Sequence, residues 1–205
     1  MLTLDYDNFL MLDTDTYTQS SLDDLWQETE HNIMLYDILH RLSNPDCTGF
    51  NQEILTFDNI KKPITNYGGE FIAGNKKMLS DLIENAEKVF NKMKAKDFRT
   101  KYGDEFILRI VAEDMKNCIK NAGAYIYRYW TGCFYLCSYS HLFNPISILH
   151  VPDAKESGMI KVYNYIKRKN KLPDNKKAYR IFRFPRLPLR VWIANKIKSI
   201  RKKDK

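Results

Sequence analysis

The chain has 205 residues, 44% of them hydrophobic and 13% aromatic, with a formal net charge of +8. That length and apolar content suffice for a well-buried domain and exclude wholesale disorder. No apolar run reaches the ~18 residues a spanning helix needs, and the N-terminus lacks the basic-then-apolar layout of a secretory signal, so a cytoplasmic protein is expected.

In chain order, Asp5-Tyr6-Asp7 comes first, with no apolar run before it. Phe9-Leu10-Met11-Leu12 follows and ends in two aspartates, Asp13 and Asp15. A short apolar run closing on carboxylates predicts a buried strand that delivers both side chains to the carboxyl edge of a sheet, where open α/β sheets bind ligands. Two carboxylates meeting phosphate oxygens and water suit Mg²⁺ or Mn²⁺, hard ions that take oxygen ligands. Leu22, Leu25 and Trp26 begin an amphipathic segment, and Ile33, Met34, Leu35, Ile38, Leu39 and Leu42 continue near helical spacing, which predicts a helix over 27–43. Ser43-Asn44-Pro45-Asp46 breaks it, because the residue before proline is pushed out of the helical region. Ile54, Leu55 and Phe57 suggest a short strand or turn.

Tyr67-Gly68-Gly69-Glu70-Phe71-Ile72-Ala73-Gly74-Asn75 carries glycines that permit close backbone approach. A helix over 76–94 is predicted next, with Met78, Leu79, Leu82, Ile83, Ala86, Val89, Phe90 and Met93 on one face. Gly103-Asp104-Glu105 opens a further helix whose acidic first turn complements the helix dipole, with Phe106, Ile107, Ile110 and Val111 apolar and Met115 and Ile119 following. Residues 124–139 are aromatic and β-prone and read as core strands. They hold Cys133 and Cys137, which with Cys47 and Cys118 show neither zinc-type spacing nor the density of a disulfide scaffold. Both are expected as buried thiols. A second apolar run, Ile146-Ser147-Ile148-Leu149, ends in His150. A histidine at one strand end and a carboxylate pair at another can meet over a sheet, so His150 is expected nearer Asp13 or Asp15 than Asp5 or Asp7.

Charge divides the chain. Residues 161–205 carry 17 Lys/Arg against Asp174 and Asp204, a net +15, and residues 1–160 carry −7. From Leu187 to Ile200, Leu189, Trp192, Ile193, Ile197 and Ile200 can share one helical face flanked by Arg190, Lys196, Lys198, Arg201, Lys202 and Lys203. Such a basic amphipathic tail is drawn to anionic lipid, which places the chain at the inner membrane face. The same cations, interleaved with aromatics, support an alternative reading as a basic nucleic-acid-binding protein. The acidic body and the lack of any nucleic-acid motif count against it, so no nucleic-acid partner is expected; a non-catalytic remnant is a third reading.

The order of these motifs resembles the GT-A glycosyltransferases, in particular the glycogenin and lipopolysaccharide-galactosyltransferase type and its bacterial capsule or surface-polysaccharide relatives. The resemblance is carried by LMLDTDTYTQSSLDDLW, YGGEFIAGN, GDEFIL and ISILHVPDAK, and covers roughly residues 5–160. It implies an α/β fold, the C-terminal portion of a Rossmann-like mixed-sheet glycosyltransferase domain over 1–160, followed by the basic tail over 161–205. It further implies that Asp13, Asp15 and His150 bind Mn²⁺ or Mg²⁺ and that Lys155 contacts the diphosphate. Gly69 and Glu70 would border the sugar, and Asp104 and Glu105 would lie near the reacting carbon or acceptor, Glu105 or Glu70 stabilising an oxocarbenium-like sugar. The implied activity is transfer of a sugar from a nucleotide-sugar to a glycan or glycolipid acceptor. In that family a βαβ half holding base and ribose precedes the metal motif; here the motif starts at residue 13, so the chain is expected to be a fragment, inactive by itself, with an exposed sheet edge along Phe9–Leu12.

Overall fold

The computed structural model describes residues 3–38, 45–58, 60, 64–129 and 146–184. They fall in two compact units, one of Met1–Arg128 with Ser147–His150 and one of Tyr129–Ile146 with Val151–Lys205. The fold is mixed α/β, and the described part of the basic segment, residues 161–184, lies in the second unit.

The first unit is built on two sheets. One contains β1 (Asn8–Leu12), β4 (Tyr67–Asn75), β3 (Ile33–Asp37) and β5 (Ile119–Asn121), side by side in that order. β1 and β3 run antiparallel to β4, and β5 runs parallel to β3. The other contains β2 (Thr16–Thr18), β7 (Ile148–His150) and β6 (Ile126–Arg128), with β7 in the middle, antiparallel to β2 and parallel to β6. β3 is buried on both faces. Ile33 and Leu35 join a core with α2 (Pro45–Asp58), α3 (Lys76–Ala95) and α4 (Asp104–Asp114), whereas Met34 and Tyr36 join a second core with Leu25 of α1 (Asp23–Thr29), Phe71, Ile126 and Ile148. In the first core the rings of Phe57, Phe98 and Phe106 pack at centroid separations of 4.8 to 5.6 Å.

That double burial corrects the helix expected over 27–43. α1 stops at Thr29, and Ile33 to Tyr36 form four consecutive buried positions of a central strand. A continuous apolar run with sheet neighbours on both sides has no polar face to show, and its spacing mimics a helix. The strand or turn expected at Ile54–Phe57 is instead part of α2, where Ile54 and Phe57 face the core three residues apart and Leu55 is exposed. Pro45 at the first helical position breaks no bond there, since that N–H would be unpaired in any case. β1 is a half-buried edge strand rather than a buried one, with Met11 44% exposed.

α3 spans the expected segment, capped by the Asn75 side chain accepting from Met78 N. Its buried stripe is Leu79, Leu82, Val89 and Met93, while Ile83 and Phe90 are exposed on the flank. α4 ends at Asp114, and Ile119 begins β5. Of the strands expected over 124–139, β6 is described; Cys133, Cys137 and the amphipathic tail at 187–200 lie outside the described residues. Cys118 is a free, exposed thiol.

In the second unit a 3₁₀ turn (Pro152–Ala154) and a single π-helical turn (Lys155–Met159) lead into α5 (Ile160–Lys169). Asn170 in the left-handed conformation ends α5, and α6 (Asn175–Ile181) is capped by Asp174 accepting from Lys177 N. Val162, Ala178 and Phe182 are buried here, the Phe182 ring lying so close over Gly158 that a Cβ there would come within 2.8 Å of it.

Candidate metal centre

Register places the site. Leu12 pairs with Phe71, so Asp13 follows opposite Glu70, and Asp13 N donates to Glu70 O at 3.2 Å. Asp13–Asp15 is the tight turn where the chain leaves one sheet for the other. Thr16 closes it, both its N (3.2 Å) and its Oγ1 (2.7 Å) donating to Asp13 O. Thr16 then pairs with His150, and His150 with Arg128 across β7 and β6. Four segments remote in sequence thus arrive at one level, with Asp13 and Asp15 in the turn between β1 and β2 and His150 beside β2.

The ligand atoms of Asp13, Asp15 and His150 lie within 4.8 Å of one another. Asp13 is exposed, while Asp15 and His150 are 6% and 4% exposed. Asp5 and Asp7 are exposed and outside the cluster. His150 Nε2 stands 3.2 Å from Asp15 Oδ1, and Nδ1 stands 3.2 Å from Glu70 Oε1. Arg128 grips the same carboxylate, with Nε donating to Oε1 at 2.7 Å and Nη2 at 2.6 Å from Oε2. Burial pushes the Glu70 carboxyl up, but the His150 hydrogen bond and the Arg128 guanidinium outweigh it and hold it at about 2. Glu70 is therefore ionised and an obligate acceptor, which puts a proton on Nδ1 and leaves Nε2 turned toward Asp15.

This arrangement passes a test of fit for a divalent cation. Asp15 Oδ1 is buried and makes no hydrogen bond despite its nearness to Nε2. Two lone-pair-bearing atoms facing each other at that distance repel unless they share a cation or a proton. The surrounding charges balance otherwise. Glu70 is matched by Arg128, and Glu105 by Arg109 at 2.8 Å with Arg128 Nη2 at 3.8 Å. Neither Asp13 nor Asp15 has a Lys or Arg partner among the described residues, and Asp15 has only the His150 ring beside it.

A bulge aims Glu70 at the histidine. Leu35 pairs with Ile72 but Tyr36 pairs with Gly68, so Gly69, Glu70 and Phe71 drop out of the ladder with β3. Gly68 makes the bulge possible, because a Cβ there would overlap Glu70 Oε2 and come 2.8 Å from Arg128 Nη2.

Glu70, expected beside the sugar, is thus buried and holds His150 and Arg128. Glu105 is tied to Arg109. Asp104 is exposed, and its Oδ2 lies 4.0 Å from where a Cβ at Gly69 would stand, so these two expected residues are brought together. Lys155 is exposed and belongs to the second unit. Arg128 and Arg109 were not anticipated, although a cation inside the aromatic run AYIYRYW and another inside FILRIV each demand a buried acid partner.

No family model and no curated protein matches the chain. Among solved structures it is similar to the galactosyltransferase LgtC in complex with donor and acceptor sugar analogs, at 17% identity over 72% of this chain and 53% of that one, with a TM-score of 0.47. An active-site mutant of LgtC aligns at 15% identity over the same shares, also with a TM-score of 0.47. The chain spans about half the length of these structures.

Proposed function

We propose that the chain carries the metal-holding part of a glycosyltransferase site, serving transfer of a sugar from a nucleotide-sugar to a glycan or glycolipid acceptor of a surface or capsular polysaccharide. The observation that supports this most is the convergence of Asp13, Asp15 and His150 around a buried Asp15 oxygen that makes no hydrogen bond. Asp13, Asp15 and His150 hold the cation, and an oxygen-and-nitrogen donor set favours Mn²⁺ over Mg²⁺, which prefers oxygen alone. When bound, the ion supplies Lewis-acid stabilisation of the charge that builds on a leaving diphosphate. Glu70 and Arg128 keep the His150 ring in its orientation and present Nε2. Asp104, beside Gly69 and free of any cation partner among described residues, is the carboxylate available to a sugar or its acceptor. Glu105, paired with Arg109, is a second acid for the sugar or its acceptor. The tail at 185–205 is proposed to bring the chain to the inner membrane face.

The experiment is calorimetric titration of the full chain with uridine, guanosine and adenosine diphosphates, with and without Mn²⁺. A binding component that appears only with Mn²⁺ and disappears in Asp13→Asn and Asp15→Asn is expected. Titrations in which Mn²⁺ adds no binding component, or in which that added component survives both substitutions, overturn the proposal.

A further inference from the structure

The second unit contains a cavity that the metal centre does not use. It measures about 360 Å³ and lies between α5 and α6, lined by Lys161, Asn164, Tyr165, Arg168, Lys177 and Ile181. The first four recur at i, i+3, i+4 and i+7 and so occupy one face of α5; Lys177 and Ile181 recur at i, i+4 on α6. The buried apolar side chains of this unit's helices and their flank, Val162, Ala178 and Phe182, are not part of the lining. The cavity wall is a second, polar face.

Its charge is one-signed. Residues 160–184 hold nine Lys/Arg and a single acid, Asp174, and that carboxylate caps α6 by accepting from Lys177 N. Lys161, Arg168 and Lys177 form no ion pair or hydrogen bond through their side chains with any described residue. Three cations around one concave space repel one another, and the repulsion is relieved by an anion of more than one negative charge. Arg168 offers a planar fork, Lys161 and Lys177 offer mobile point charges, and Asn164 and the Tyr165 hydroxyl offer neutral donors. Ile181 and the Tyr165 ring add an apolar wall, and the volume exceeds what a lone inorganic ion fills.

We infer that the α5–α6 cavity is a binding site for a phosphate-bearing ligand of more than one negative charge, separate from the site at Asp13, Asp15 and His150. The phosphate is carried by a soluble diphosphate or by a phospholipid headgroup, and the chemistry of recognition is the same. Lys161, Arg168 and Lys177 neutralise it, while Asn164 and Tyr165 orient it.

The test uses the full 205-residue chain in excess EDTA, so that the metal centre contributes nothing. Two double variants remove equal charge from exposed positions of the same unit: Arg168→Ala/Lys177→Ala in the cavity and Lys169→Ala/Lys176→Ala outside it. Inorganic pyrophosphate is titrated at constant ionic strength, and vesicles of phosphatidylcholine with and without phosphatidic acid, whose phosphomonoester carries more than one negative charge above neutral pH, are co-sedimented. The expected result is a loss of at least about tenfold in affinity for one of the two probes in the cavity variant, with the outside variant close to wild type. Loss confined to pyrophosphate assigns a soluble ligand; loss confined to phosphatidic acid vesicles assigns a headgroup. Equal loss in both variants reveals a diffuse cationic surface and overturns the site, as does the absence of binding to either probe by the wild-type chain.

Discussion

Glu70 connects the fold to the site through single atoms. Its carboxylate is buried between Arg128 and His150, so replacing it leaves a guanidinium without its partner. Glu70→Gln is expected to cost about 3–5 kcal/mol in urea unfolding, the range for breaking one side of a buried pair. On the proposed reading it also weakens Mn²⁺ binding about 10–100-fold, as loss of a histidine's carboxylate partner does. The pH dependence has a definite sign. The folded carboxyl sits at about 2, below its ordinary 4.5, so its contribution is complete above pH 4.5 and is lost as pH falls through about 2. The loss amounts to about 3 kcal/mol, and urea curves of wild type and Glu70→Gln between pH 6 and pH 2 should converge toward the acid end. Gly68→Ala tests the bulge, since the added methyl overlaps Glu70 Oε2; about 1–3 kcal/mol of destabilisation is expected from the same curves. The sequence made Asp13, Asp15 and His150 visible because each follows an apolar run. It hid the task of Glu70, because which side chain meets His150 depends on a register shift between β3 and β4 that no local pattern encodes.

A long pattern with one polar face was legible, whereas a run buried on both faces and a pattern too short to show a period were not. α3 shows a polar face and was placed within a residue or two, whereas β3 shows none and imitated a helix through Leu39 and Leu42 beyond its end. α2 was missed because the pattern Ile54-Leu55-Phe57 is too short to reveal a period, and the rings on which Phe57 packs, Phe98 and Phe106, lie on distant segments. The difference between edge and centre is measurable. Leu35→Ala in β3 is expected to cost about 2–5 kcal/mol because Leu35 is fully buried. Met11→Lys in β1 should shift stability by no more than about 0.5 kcal/mol, since that side chain faces solvent on an edge strand. Equal costs for the two would contradict the strand order described here.

On the scale of the whole molecule, an acidic body and a basic C-terminal segment divide the chemistry. In the first unit two sheets exchange a chain at Asp13–Asp15, and that crossing brings carboxylates and histidine together without help from the charged segment. The second unit gathers cations around α5 and α6. The division of charge could be read from sequence because composition alone carries it; the cavity could not, because it depends on which faces of two helices turn toward each other. The claim on which the functional reading depends is that Asp13, Asp15 and His150 form one cation site. Its most direct measurement is Mn²⁺ titration of the full chain followed by electron paramagnetic resonance, with pulsed detection of nitrogen coupling from a bound imidazole. The account predicts one bound Mn²⁺ with histidine nitrogen coupling, weakened at least about tenfold in Asp15→Asn, stripped of that coupling in His150→Ala, and unchanged in Asp5→Asn/Asp7→Asn. Mn²⁺ bound without nitrogen coupling in the wild type, or lost equally from the Asp5/Asp7 variant, would contradict it.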